Sequence, residues 1–458
     1  MNQILHLGLG SFHRAHQAVY LQRLIERGET DWTLVGGNIR ADMAETLAAL
    51  AAQNGEYTLE TVAPDGQSRF ERIRSISRVV PYDDQLAGLI ALGAAPETKI
   101  ISFTVTEAGY YLDAAHHLDP SYAEIQGDIA GRTRCTIYGA LAAILAARRE
   151  RGSGPVTLLN CDNLRSNGER VHTGLTEFIA LRGERELGAW VEANTTCPNA
   201  MVDRITPRPA ADLPARVKAE TGWDDRAPVM GERFIQWVIE DRFAAGRPAW
   251  EHVGAEMVSS VLPYEEAKIR VLNAPHSCIA WAGSLIGLTY IHEGVLVPAI
   301  RRMAWEYVTE DVIPVLSPSP IDLGTYRDVV LDRFSNAHLR DTNQRVAMDG
   351  FSKIPGFIVP TIRERLARGE SIARVAVLPA LFYHFMARWH RGELAYEYQD
   401  GVMDRAAAHA IYEAADPLAA FARDPVLWGP LAGNDKLSAA LVGADREVKA
   451  FIAGLQHG

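Results

Sequence analysis

The segment Ile4-Leu5-His6-Leu7-Gly8-Leu9-Gly10-Ser11-Phe12-His13-Arg14-Ala15-His16-Gln17 constrains the fold most, because a short apolar strand, a glycine turn and a helix follow one another directly. A dinucleotide-binding domain opens in this way: Gly8 allows the tight turn, and Gly10 lets the backbone approach a pyrophosphate whose charge the helix N-terminus favours. His13 stands where the usual fingerprint has its third glycine, so the motif is a partial match. An ordinary strand-to-helix turn would read the same way.

The rest of the first half repeats the alternation. Apolar runs at Ile4–Leu7, Thr33–Gly36, Lys99–Thr104 and Val156–Asn160 are separated by helical patterns such as Ala41–Asn54 and Ile129–Arg148. Strands alternating with helices favour a parallel sheet covered on both faces. Glu56–Leu59 and Arg69–Ile76 around Pro64-Asp65-Gly66 read as an added hairpin, and beyond Val258 the pattern turns mainly helical. A chain of 458 residues exceeds what one core normally holds. The expected organisation is a doubly wound, Rossmann-type α/β domain over residues 1–257, then a mainly α-helical substrate and catalytic domain over residues 258–458.

Composition excludes several functions. A net charge of -11 argues against a nucleic-acid surface, which needs a basic patch. Cys135, Cys161, Cys197 and Cys278 are scattered without a C-x-x-C pair, suggesting neither a zinc site nor a disulfide framework, and suiting a reducing cytoplasm. The N-terminus carries no basic-then-apolar signal segment. The longest apolar stretch, Cys278–Ile291, falls short of the roughly 20 residues that span a bilayer and reads as a buried helix.

In the helical half, Tyr264-Glu265-Glu266-Ala267-Lys268-Ile269-Arg270-Val271-Leu272-Asn273-Ala274-Pro275-His276-Ser277 places a lysine, an asparagine and a histidine in an otherwise apolar segment. An unpartnered buried amide or hydroxyl costs roughly 1–3 kcal/mol and a charge more, so such side chains satisfy one another or meet a substrate. On a helical wheel Glu265, Lys268, Asn273 and His276 fall on one side. Pro275 predicts a kink or a helix restart. In the bland alternative Lys268 snorkels to solvent, Asn273 caps a helix and His276 is a satisfied core histidine.

Taken together these motifs resemble the polyol-specific long-chain dehydrogenases, the mannitol dehydrogenase family. The likeness rests on Gly8–His16, Thr104-Val105-Thr106-Glu107-Ala108-Gly109-Tyr110, Asn160-Cys161-Asp162-Asn163, Met201–Pro207, Glu232 with Trp237, Lys268 with Asn273 and His276, and Arg345–Pro355. It implies a small-molecule polyol or ketose as substrate and NAD-dependent oxidation of a sugar alcohol to a ketose. Asn194–Pro198, Pro207–Pro214 and Tyr396–Gly401 point within the family to D-arabinitol and D-xylulose. Mannitol oxidation and hexuronate reduction are the alternatives inside the family; a non-catalytic NAD-binding sensor is the alternative outside enzymes.

The resemblance assigns roles residue by residue. Lys268 is the general base, Asn163 and Asn273 donate amide hydrogen bonds to the developing alkoxide, His276 orients the reacting oxygen, and Glu265 relays the proton. Arg345 and Lys353 hold remote hydroxyls. Asp203 matches a substrate-binding position and equally suits a structural partner for Arg204. Gly8, Gly10, Ser11, Phe12, His13, Arg14, Thr106 and Glu107 fall to the cofactor. Asp42 matches the acid that accepts from the adenosine ribose and repels a 2'-phosphate, which favours NAD over NADP, although Arg40 is near in sequence and Asp42 would also serve as a helix cap. No metal is implied, and the family suggests a monomer.

Overall fold

The computed structural model describes residues 1–29, 31–113 and 116–455. It comprises two compact units, Met1–Val62 with Gln67–Leu262, and Pro263–Gly458 with Ala63–Gly66. The first unit runs to Leu262 rather than ending at Met257, because the last strand before that point pairs within it.

The strands of the first unit are β1 (Asn2–Leu7), β2 (Trp32–Gly37), β3 (Tyr57–Val62), β4 (Ser68–Ile73), β5 (Ile76–Val79), β6 (Thr98–Phe103), β7 (Val156–Asn160), β8 (Thr195–Thr196), β9 (Ala200–Asp203), β10 (Val229–Glu232), β11 (Gln236–Glu240) and β12 (Glu256–Val258). Six of them form a parallel sheet in the order β5-β2-β1-β6-β7-β8. Successive side chains of a strand point to opposite faces, and the sequence uses both. Leu5, Val35, Ile101 and Leu158 enter one buried apolar cluster, whereas their neighbours Ile4, Leu34, Ile100 and Leu159 enter the other. This explains why these strands read as continuous apolar runs.

The hairpin around Pro64-Asp65-Gly66 is present: β3 and β4 pair antiparallel from Tyr57↔Ile73 to Val62↔Ser68, and β10 adds in parallel to β3. A further small sheet has the order β12-β11-β9, and pairing of Glu256–Val258 with Val238–Glu240 is what carries the unit past residue 257. The helical pattern at Ile129–Arg148 resolves into Ala123–Ile129 and Ile137–Arg151, the second capped by the Thr136 side chain accepting from Gly139 N–H. The Ala41–Asn54 pattern is a short 3₁₀ turn, Ala41–Met43, followed by the helix Ala44–Ala52.

Among its described residues the second unit is helical and contains three π-helical segments, Lys268–Asn273, Tyr307–Val312 and Ile354–Ile358. The restart expected near Pro275 is observed, with a helix at Ala274–Leu285 that carries the proline in its first turn, where its missing N–H costs least. The apolar stretch expected to remain helical to Ile291 stops earlier. Gly287 (φ 80°) follows Ile286, Gly287 N–H donates to the Ser284 carbonyl and Leu288 N–H to the Gly283 carbonyl, a Schellman stop. Among the described residues no helix is long and apolar enough to cross a membrane.

Candidate active site

In the first unit the strand order reverses between β1 and β6, the position at which open α/β sheets bind ligands beyond the carboxyl ends of their strands. Gly8–Gly10 follows β1 there and Thr104–Thr106 follows β6. Gly8 has φ 110°, and a Cβ on it would stand 2.2 Å from the Thr104 carbonyl oxygen, so no other residue fits. Gly10 is different in kind: a Cβ on it would meet nothing within 4 Å. Its neighbours Ser11, Phe12 and His13 open the helix α1 (Ser11–Ala15), whose first N–H groups have no intrahelical acceptor. An open backbone face beside these donors fits the pyrophosphate of a dinucleotide.

The remaining residues of the motif act on this turn from behind. The helix breaks at His16 before α2 (Gln17–Glu26), and His16 Nε2 meets the Gln236 carbonyl at 2.9 Å. Arg14 is buried; its guanidinium donates to the carbonyls of Leu9 and Ala227. The buried His13 ring stacks on His6 at 3.4 Å, and burial, then the neighbouring His6, depress its pKa well below the usual value. Gln17 opposes that shift without reaching hydrogen-bond geometry to the His13 nitrogens. Burial pushes His6 down to about 3, against the opposing Gly8 carbonyl. His6 is thereby a neutral strut, placed 2.8 Å from Ser102 Oγ and 3.1 Å from the Gly8 carbonyl. Leu9 N–H donates to Asn38 Oδ1 at 2.9 Å, which fixes the turn against the end of β2.

Asp42 is exposed in the turn Ala41–Met43, and neither that turn nor the following helix has a side-chain cap, so the helix-cap reading finds no support. Arg40 is engaged elsewhere, donating to the Cys135 carbonyl (3.1 Å) and to the Tyr111 hydroxyl. Thr106 holds φ 67°, and its N–H, with that of Val105, donates to the Asp162 carboxylate. Burial raises the Asp162 pKa, opposed by the Tyr110 hydroxyl and these two N–H groups. Asp162, quoted in the motif without a role, is thus the clamp between the ends of β6 and β7. Glu107 opens the 3₁₀ turn Glu107–Tyr110, and its side chain lies outside the described residues. Asn163 is exposed just beyond β7. Asp203 ends β9 and is buried; next to it, Arg204 is occupied by the carbonyls of Ala15 and Glu232.

In the second unit Glu265 and Lys268 are 7% and 6% exposed, so the lysine does not snorkel to solvent. Lys268 opens the π-helical segment that Asn273 closes. Asn273 is half-buried, and its side-chain amide makes no hydrogen bond among the described residues. On the next turn the His276 ring stacks on Phe334 at 4.4 Å, and its Nε2 lies 3.1 Å from Asp341 Oδ2, close enough for a hydrogen bond but poorly aligned for one. Arg345 completes the group by donating from Nε to Asp341 Oδ1 (2.6 Å) and from Nη2 to Oδ2 (2.7 Å). Lys353 Nζ donates to the Val346 carbonyl at 2.7 Å. Burial lowers the His276 pKa, partly offset by Asp341. Burial would raise Asp341, but His276 and Arg345 outweigh it and hold the carboxyl well below the usual range. Asp341 was not singled out by sequence reasoning; its spacing of four from Arg345 was the one local signal. Among the described residues no group of three or more His, Cys, Asp or Glu side chains is arranged to hold a metal.

Two family models cover this architecture, the mannitol dehydrogenase Rossmann domain over residues 2–252 and the mannitol dehydrogenase C-terminal domain over residues 260–449. The chain belongs to the mannitol dehydrogenase family. Within that family it is 62% identical to a D-arabinitol 4-dehydrogenase of Ralstonia nicotianae, across 98% of this chain and 97% of that one. It is 59% identical to a D-arabinitol 4-dehydrogenase of Klebsiella pneumoniae, across 94% of each. Among solved structures it resembles the mannitol 2-dehydrogenase of Pseudomonas fluorescens, determined as a ternary complex with NAD and D-mannitol, with a TM-score of 0.86, 34% identity and coverage of 100% of this chain and 94% of that one.

Proposed function

We propose that this chain is an NAD-dependent polyol dehydrogenase that oxidises D-arabinitol at C4 to D-xylulose, with Lys268 as the general base and no metal. The observation that carries the chemistry is the burial of Lys268 at the head of the π-helical turn ending in Asn273, in a family whose members at 62% and 59% identity are named D-arabinitol 4-dehydrogenases. NAD, when bound, accepts the hydride from the carbinol carbon. The backbone at Gly10–Phe12 would hold its pyrophosphate and Asp42 its adenosine ribose. The Lys268 amine removes the hydroxyl proton, and Glu265, one turn earlier, passes that proton on towards water. The Asn273 amide, which makes no side-chain hydrogen bond among the described residues, donates to the oxygen as charge develops on it, and Asn163 takes the matching donor role. Arg345 and Lys353 hold hydroxyls away from the reacting carbon.

Reduced-cofactor formation should be followed with D-arabinitol, mannitol, xylitol and sorbitol, and cofactor consumption with hexuronates, identifying the ketose formed. The proposal expects D-arabinitol to give the highest kcat/KM and D-xylulose as product. Faster mannitol oxidation would move the chain to the activity of its structural neighbour, and faster hexuronate reduction would overturn the assignment.

A further inference from the structure

Asp341 is placed with unusual firmness for a residue outside regular structure. Its carbonyl accepts from Ile291 N–H (2.9 Å), Asn343 N–H donates to the Thr289 carbonyl (2.9 Å), and Tyr290 and Thr342 form a β-bridge between the same two segments. The residue is 8% exposed, and its carboxylate faces two partners at once, the Arg345 guanidinium and His276 Nε2. Phe334 fixes the plane of the His276 ring from one face. His276 Nδ1 makes no hydrogen bond among the described residues and is not among the buried unpaired atoms.

A neutral imidazole carries one N–H, and a carboxylate beside one ring nitrogen draws the proton to that nitrogen. We propose that Asp341 is a positioning residue that holds His276 as the Nε2–H tautomer, so that Nδ1 presents a lone pair and accepts a hydrogen bond from a polyol hydroxyl adjacent to the reacting one. The reacting hydroxyl has a single proton, which goes to Lys268, and the alkoxide it becomes has none to give. An acceptor at Nδ1 would repel that alkoxide, whereas the neighbouring hydroxyl keeps its proton through the reaction and can donate. His276 then recognises the vicinal diol pattern of a sugar alcohol, while Asn273 serves the reacting oxygen. The nearby cations Arg345 and Lys353 favour its neutral form.

This inference rests on the reading of the second unit as the polyol site, and the test separates the two. Full-length protein labelled with ¹⁵N at histidine reports the His276 tautomer, assigned against His276→Ala, and steady-state kinetics report its consequence. The wild-type protein is expected to show the Nε2–H tautomer. Asp341→Asn, whose amide can donate to Nε2, is expected to shift the ring towards Nδ1–H and to raise KM for the polyol about tenfold or more, with NAD affinity unchanged. An Nδ1–H tautomer in the wild type, or an unchanged tautomer and KM in Asp341→Asn, would overturn the assignment. If Asp341→Asn does not fold, the wild-type spectrum decides alone. A His276→Ala variant with wild-type KM and kcat would instead overturn the reading of the site itself.

Discussion

Lys268 and Asn273 are the first and last residues of a single π-helical segment. In an α-helix, residues five apart diverge by roughly 140° around the axis. The π-helix bonds residue i to i+5 and winds more residues into each turn, so residues five apart lie closer together around the axis. The widened turn therefore draws Lys268 and Asn273, which an α-helical wheel leaves at opposite margins of one side, closer together around the axis.

The two glycines of the first turn should separate folding from binding. Gly8→Ala drives a Cβ to 2.2 Å from the Thr104 carbonyl at φ 110° and should destabilise the protein by about 1–3 kcal/mol, read as a lower denaturant midpoint. Gly10→Ala meets nothing within 4 Å, so stability should stay within about 0.5 kcal/mol while NAD affinity falls about tenfold or more. Unchanged NAD affinity in Gly10→Ala would remove the pyrophosphate from this turn.

Asp42→Ala should narrow the preference for NAD over NADP by about tenfold in relative kcat/KM, because an exposed carboxylate opposing a 2'-phosphate is deleted. Arg40 is held by the Cys135 carbonyl and the Tyr111 hydroxyl, so the gain comes from lost repulsion more than from a new ion pair. Steady-state kinetics with both cofactors check this, and an unchanged ratio would place the discrimination elsewhere.

Folding stability should fall as the pH drops below about 6.5. His6 is pushed down to about 3 and His13 well below its usual value, so both stay neutral when folded, while the unfolded chain protonates them. The unfolded state then binds more protons, and each of these histidines costs up to about 1.4 kcal/mol per pH unit below 6.5. Denaturant midpoints measured from about pH 8 to about pH 5 should be level at first and then decline. A midpoint rising towards acid would contradict neutral burial of this pair.

Activity should survive exhaustive dialysis against a chelator. The motivation is that the proposed chemistry needs only a lysine base and hydrogen-bond donors, and that among the described residues no group of three or more His, Cys, Asp or Glu side chains is arranged to hold a metal. Loss of turnover that added zinc restores would displace Lys268 as the base.

The sheet was legible because both of its faces are buried, which leaves β1, β2, β6 and β7 as apolar runs bounded by turn residues. The hairpin was legible from Pro64-Asp65-Gly66. The π-helical turn was not, since its apolar residues also satisfy an α-helical wheel and no propensity rule separates the two. Asp341 was hidden for another reason: its position depends on the bridge between Tyr290 and Thr342 and on the stacking of His276 over Phe334, contacts that span long stretches of sequence. His13 and Arg14 looked like cofactor ligands because they share a motif with Gly10. The helix geometry turns them beneath the turn, against His6 and the Ala227 carbonyl.

The most direct test of the account is Lys268→Ala, with NAD affinity and D-arabinitol turnover measured on the same preparation. The account predicts unchanged NAD affinity and a kcat lower by about 10²–10⁴-fold, the usual contribution of a positioned base. Turnover near the wild-type level with NAD affinity intact would contradict it.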